Sequence, residues 1–503
     1  MTRQTTILEE ILKPKRYKPD GAYLHILLGV VLDKNQPSLL QVLGLSTAIL
    51  LVSGNIIGSG IYKKIGPMSA GLMDSNLILL AWFAAGIITM FGAFTYASLA
   101  TTTNEAGGQF QYFKNAFGDF FGFLFGWGFF TVIGTSSIAS ISYVFAESVV
   151  NLFQVPEILT NSSSLSVFGI HPFQNFTVKM VAVATLVLLT MFNIRGVKGG
   201  GWLSNTVTGA KILGILFLIV IGVTYTGGAE HALVAPKVVA VPEIDAHNVF
   251  MLSAFFTAML GAFWAYDGWA NITNMASEFK NPTRNLPIAI ISGTIITMFL
   301  YISVNYAYLR VLTPTDFAAI SADEGKIAAV EVATAALGNS GTIIISVLII
   351  ISTFGAMQAS TMSAARVCYQ MAREGQFFTP FSKVHARFRT PYVSLLWQML
   401  WAGVLILSGS FDQLTDMLIF AAFIFYGLGA IAVFRLKRRR WSITTFGYPY
   451  IPALFLLSCI VIVANALYTR PYESFIGLGL IFLGVPFYLY FRARISVSSR
   501  IVV

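Results

Sequence analysis

Gly54-Asn55-Ile56-Ile57-Gly58-Ser59-Gly60-Ile61-Tyr62 sits inside an apolar block that runs from residue 41 to 71. Its three glycines fall within seven residues, and each is about 1 kcal/mol less favourable than alanine in a helix interior. Two readings fit this segment: a membrane helix that unwinds locally, or close packing of helices through small residues. Which reading holds depends on the rest of the chain.

The surrounding composition makes the block a membrane helix. Of 503 residues, 56% are hydrophobic and 11% are charged, against roughly 25% charged in soluble domains. The apolar residues come in blocks long enough to cross a hydrocarbon layer about 30 Å thick, where every backbone amide must be satisfied within the protein. The ten-residue alternation of an outer-membrane barrel is absent. The blocks predict about twelve spans, at 41–71, 75–100, 119–152, 176–194, 201–226, 247–279, 286–310, 339–372, 392–410, 412–434, 450–468 and 473–492.

The net charge of +10 is read through its distribution. With both termini inside, 24 lysines and arginines fall in cytoplasmic tails and loops and seven fall outside. That bias predicts a multi-pass protein of the cell membrane with cytoplasmic termini. Residues 1–40 form a cytoplasmic tail, and the basic run Arg435 to Arg440 reads as an anchor beside anionic lipid rather than a nucleic-acid patch. Cys368 and Cys459 both fall within spans, and neither a disulfide framework nor a metal site is expected. No cofactor is expected either.

Two further segments are awkward in a membrane. Phe263-Trp264-Ala265-Tyr266-Asp267-Gly268-Trp269 puts an acid in the sixth predicted span, at a cost of about 2.5–3.5 kcal/mol on insertion scales. Asp267 serves either as a ligand group or as a structural partner at a helix break. Lys211 stands about ten residues into the fifth span, roughly 15 Å along the helix axis, where reaching an interface is difficult. Interrupted segments in spans one and six are the arrangement of a five-plus-five inverted repeat, here 41–226 and 247–434, with 435–503 appended. The N-terminus of a half-helix favours an anion and freed carbonyls favour a cation. A zwitterionic amino acid carries both charges.

At these residues the chain resembles the amino acid–polyamine–organocation superfamily, and within it the L-type amino acid transporter branch. The segments that carry the resemblance are Gly58-Ser59-Gly60-Ile61-Tyr62, Glu105-Ala106-Gly107-Gly108-Gln109-Phe110, Ala265-Tyr266-Asp267-Gly268-Trp269, Glu278 to Pro287, and Ser363-Ala364-Ala365-Arg366 with Ala372-Arg373-Glu374-Gly375. The resemblance implies an all-α LeuT-type fold with discontinuous helices 1 and 6, alternating access, and an amino acid held by Ile56, Gly58, Ser59, Gly60, Trp264, Ala265 and Asp267. Amides around Ser59 and Gly60 would take the carboxylate, and carbonyls near Ile56, Trp264 and Asp267 the ammonium. Trp264 would gate the site. Lys211 would stand in for a coupling cation, reaching the unwound part of span one and Ser352 or Thr353 in span eight. Asp267 departs from the glycine of the animal L-type members.

The function expected is transport of neutral L-amino acids by sodium-independent exchange. A proton-coupled symporter is the alternative, and a sensor or a polytopic membrane enzyme is less favoured: the five histidines lie scattered in tails and loops. Lys63 and Lys64 are expected to line an outer vestibule, facing water or headgroups, with attraction of acidic substrates as the sharper alternative.

Overall fold

In a computed structural model, residues 41–159, 172–196, 200–227, 246–323, 325–439 and 445–501 are described, together with Trp441 and Ile443. The expected N-terminal tail, residues 1–40, lies outside them.

α1 (Leu45–Ile56) stops at Ile57, whose ψ of 85° leaves the helical region. The chain resumes as α2 (Gly60–Lys63) and, after Lys64, α3 (Ile65–Leu72). α4 (Ser75–Leu99) starts on Asp74, whose side chain accepts from the Leu77 amide. α5 (Gln109–Phe117) leads to α6 (Asp119–Gly128), which passes through a π-helical turn at Phe129–Ile133 into α7 (Gly134–Phe153). α8 (Phe176–Ile194) and α9 (Gly200–Thr224) follow.

α10 (Ala246–Tyr266) ends in a four-residue turn, and the chain continues as a 3-10 helix over Asn271–Glu278. The sixth predicted span is therefore helix only to Tyr266. Gly268 explains the stop: its φ of +106° suits glycine, and a Cβ there would lie 2.7 Å from the Asn55 carbonyl oxygen.

α11 (Pro282–Val311) is followed by two short helices, α12 (Pro314–Ser321) and α13 (Ala328–Leu337). α14 (Asn339–Arg373) has 35 residues and is about 52 Å long, so it tilts or projects beyond the hydrocarbon. α15 (Tyr392–Ser408), α16 (Phe411–Arg438), α17 (Tyr450–Thr469), α18 (Pro471–Phe482) and α19 (Gly484–Ile501) complete the chain.

Ten helical segments among the described residues are long and apolar enough to cross a membrane. α10 and α15 occupy the other two predicted places. Large apolar side chains such as Leu188, Phe192, Leu213, Phe299, Leu457 and Ile460 point outward and are exposed. In water such a surface would be costly; against lipid it is the outer coat. Inside, α7 lies along α14, and α1 is held between α11 and α9. This packing buries the α1 break at the centre of the bundle.

Candidate functional site

The breaks after α1 and α10 meet. A Cβ on Gly60 would lie 2.6 Å from Cα of Ala265, so only the absence of a side chain lets α2 pass this close to α10. The Gly58 amide donates to the Tyr301 hydroxyl; among the described residues, the amides of Ser59 and Gly60 donate to no protein acceptor. They are the unmatched donors of a helix start. Across from them, the carbonyls of Ala265, Tyr266 and Asp267 accept from no protein donor. One break thus offers N–H groups and the other offers oxygens.

Between them lies a small cavity of about 10 Å³, close to what one water needs. Its walls are Asn55, Ile56, Gly58, Ser59, Gly60, Trp264, Asp267, Gly268 and Asn271 from the two broken segments, Ser137 and Ile141 from α7, and Ser360 from α14. Asn55 Oδ1, Ser59 Oγ and Trp264 Nε1 are buried without a partner among the described residues. Unpaired buried polar atoms are costly, and three of them around one cavity are hydrogen-bonding capacity that a polar group placed there would satisfy.

Lys211 is 2% exposed. Its Nζ donates to the carbonyls of Gly54 at 2.8 Å and Ile57 at 2.9 Å, the two oxygens that the end of α1 leaves unmatched. Ser352 and Thr353 do not share that ammonium. Ser352 Oγ instead accepts from Tyr62 at 3.2 Å, and the Thr353 hydroxyl turns back to Ile349 of its own helix at 2.7 Å. Two of the three ammonium N–H groups are thus taken by carbonyls at the end of α1, and the span-eight hydroxyls have other partners.

Two carbonyls named from sequence are already engaged. Ile56 accepts from the Tyr301 hydroxyl at 3.0 Å, and Trp264 accepts from the Asp267 amide at 3.2 Å. The Asp267 carboxylate accepts from Tyr426 at 2.6 Å, tying the α10 break to α16. Tyr301, Tyr426, Asn271 and Ser360 escaped sequence reasoning, because tyrosines and serines inside apolar spans carry no distinguishing pattern.

Lys63 borders an opening of about 310 Å³ and Lys64 one of about 1300 Å³, and each is also held by a carboxylate. Lys63 Nζ lies 2.7 Å from Glu147 of α7. Lys64 Nζ lies 2.6 Å from Asp412 and 2.8 Å from the Thr415 hydroxyl, both of α16. Both ammonium groups sit over the Phe411 ring, at 5.0 and 4.7 Å, and Phe411 meets Trp264 edge to face. The two carboxylates, placed opposite α2, engage the lysines directly. Glu147 and Asp412 had a signal in the sequence, being acids in or at the edge of predicted spans.

At the other end of the cavity, Ser363 of α14 donates to the Asn271 carbonyl at 2.7 Å, and Arg366 holds Glu278 at 2.8 Å. Gln111 and Lys114 of α5 both bond Glu374. The amides of Val42 and Leu43, ahead of α1, donate to Glu278 O at 3.1 Å.

Comparison with known proteins agrees with this geometry. A family described as amino acid permease matches residues 43–487. The serine/threonine exchanger SteT of Bacillus subtilis (strain 168) is 31% identical over 458 residues, covering 90% of this chain and 97% of the relative. The human b(0,+)-type amino acid transporter 1 is 28% identical, covering 90% and 88%. The mouse large neutral amino acids transporter small subunit 2 is 28% identical, covering 89% and 80%. These relatives are transporters rather than enzymes. The chain belongs to the amino acid permease family, within the amino acid–polyamine–organocation superfamily and close to its L-type branch.

Proposed function

We propose that this protein exchanges small neutral L-amino acids across the cell membrane, independently of sodium, by alternating access. The observation that carries the reading is the pair of facing helix breaks: free amides at Ser59 and Gly60 opposite free carbonyls at Ala265, Tyr266 and Asp267. The carboxylate and ammonium common to all α-amino acids match those two rows. The frame is a LeuT-type five-plus-five repeat, 41–226 and 247–434, twelve spans in all, with both termini cytoplasmic.

Small cargo follows from the walls. Ser137, Ser360 and Asn271 border the cavity, and they suit a short side chain with a hydroxyl; the serine/threonine exchanger among the relatives points the same way. The substrate meets Ile56, Gly58, Ser59, Gly60, Trp264, Ala265 and Asp267. Lys211 supplies the positive charge that a coupling ion supplies elsewhere, held on two α1 carbonyls. A built-in cation removes the need for a sodium gradient. Ser352 supports α2 through Tyr62, and Thr353 sits beside it on α14.

The small cavity is the occluded stage of the cycle. Opening the Lys63 end requires parting Lys63 from Glu147 and Lys64 from Asp412, with Phe411 and Trp264 withdrawing. Proteoliposomes loaded with unlabelled serine should take up labelled serine without sodium, and empty ones should take up little. Equal uptake by empty liposomes rejects exchange.

The second reading is proton-coupled symport, favoured by the buried Asp267 carboxylate bound to Tyr426 across α10 and α16. Uptake into unloaded liposomes driven by an inward proton gradient, and lost in Asp267→Asn, would decide for it.

A further inference from the structure

α6 and α7 form one helical run that changes phase at the π-helical turn Phe129–Ile133. The Gly134 amide donates to the Phe129 carbonyl, five residues back, where an α-helix would reach four. Such a turn holds one residue more than the α-helix it interrupts, so everything after it is rotated by about 100°. Ser137 and Ile141, four apart and therefore on one face, border the substrate cavity. Without the extra residue that face would carry Ser136 and Ser140, which are buried and are not among the cavity walls.

Buried carbonyls in a membrane need donors, and two in this turn are served by side chains. The Thr135 hydroxyl donates to the Phe130 carbonyl at 2.9 Å, again five residues back. Trp401 Nε1, from α15, donates to the Thr131 carbonyl at 2.8 Å. In an unbroken α-helix the Thr135 amide would take that carbonyl. A second tie joins the same elements: the Tyr143 hydroxyl donates to the Gly409 carbonyl, just beyond α15, at 2.6 Å. The two ties fall on either side of Ser137 and Ile141.

We propose that Trp401, from outside the cavity, is a positioning residue that sets which face of α7 the substrate meets. The inference rests on the cavity being the amino acid site. By holding the Thr131 carbonyl, Trp401 keeps the extra residue at 129–133 rather than letting it pass along the helix beyond Ile141. With the turn in place, branched Ile141 narrows the cavity. With the turn displaced, Ser140 stands there instead and leaves room for a longer side chain. Preference for short substrates therefore depends on an indole N–H that never touches them.

The test places Ser136→Cys, Ser137→Cys, Ser140→Cys and Ile141→Cys one at a time in the full chain in proteoliposomes. Modification by a small thiol reagent is timed with and without serine, beside either Trp401 or Trp401→Phe, which keeps a ring and removes the N–H. With Trp401 present, Ser137→Cys and Ile141→Cys should react about tenfold faster than Ser136→Cys and Ser140→Cys. Trp401→Phe should reduce that ratio about tenfold, the scale of one hydrogen bond. In the chain without added cysteines, Trp401→Phe should raise the KM for serine and lower it for leucine; a merely loosened fold would not move the two in opposite directions. A ratio and KM values unchanged by Trp401→Phe overturn the proposal. So does equal reactivity of the four cysteines beside Trp401, a result that does not require Trp401→Phe to fold. Failure of serine to slow any modification counts against the cavity as the amino acid site, while the register is still read from the four rates.

Discussion

Lys211 and Lys64 are each 2% exposed, yet they are held in opposite ways. Lys211 donates to two carbonyls of one broken helix end, Gly54 and Ile57. Lys64 bonds a carboxylate and a hydroxyl on a different helix, α16. A cation bound to carbonyls of one turn fixes the shape of that turn, whichever way the bundle tilts. A cation paired across two helices must let go when they separate. The first lysine belongs to the binding frame and the second to the closure.

The contrast is sharpest at Lys211. Lys211→Ala removes two charge-assisted hydrogen bonds, and exchange of labelled serine should fall about 100-fold or more, while the amount of protein in the membrane is preserved. Wild-type exchange in that variant breaks the contrast.

Next comes Glu147→Gln, which removes the Glu147 carboxylate from Lys63. Lys63 and Glu147 side chains are 13% and 8% exposed, so a broken pair there acts as a buried one. A cysteine placed at Ile141 should be modified from the Lys63 side on the order of 30-fold faster in Glu147→Gln than in the unmutated background. The two native cysteines are buried and add little background. No change in rate would remove the pair from the closure.

Tyr426→Phe takes a donor from Asp267 and should raise the KM for serine about tenfold, with kcat less affected. An equal loss in both would make Tyr426 a part of the moving machinery rather than a positioning residue. The smallest effect is expected for Lys64→Met. Asp412 is 56% exposed, so this pair is screened, and the exchange rate should change about threefold and less at high salt.

How much of this was legible in the sequence follows from distance along the chain. The helices come from apolar blocks, and the breaks from local costs: three glycines near Gly58, and Gly268 after Asp267. Lys211 stood out because a lysine at mid-span has few tolerable environments. What it touches was half legible, since the α1 carbonyls are freed by a break that the sequence announces. Ser352 and Thr353 were not separable in advance, because a hydroxyl in a helix bonds its own turn as readily as a neighbour. Tyr301 on Ile56 and Tyr426 on Asp267 join residues 245 and 159 positions apart, and nothing local records such a contact. The partners of Lys63 and Lys64 were hidden for the same reason, since Glu147 and Asp412 lie 84 and 348 positions away. Glu147 was within reach: the argument applied to Asp267 holds for any acid inside a span.

Electron cryomicroscopy of the full chain in lipid nanodiscs saturated with serine would observe the site directly. The carboxylate of the ligand should lie on the amides of Gly58, Ser59 and Gly60, with its ammonium on the carbonyls of Ala265, Tyr266 and Asp267. Serine density away from both rows, or continuous helix through Gly58 and Asp267, would refute the two-break site.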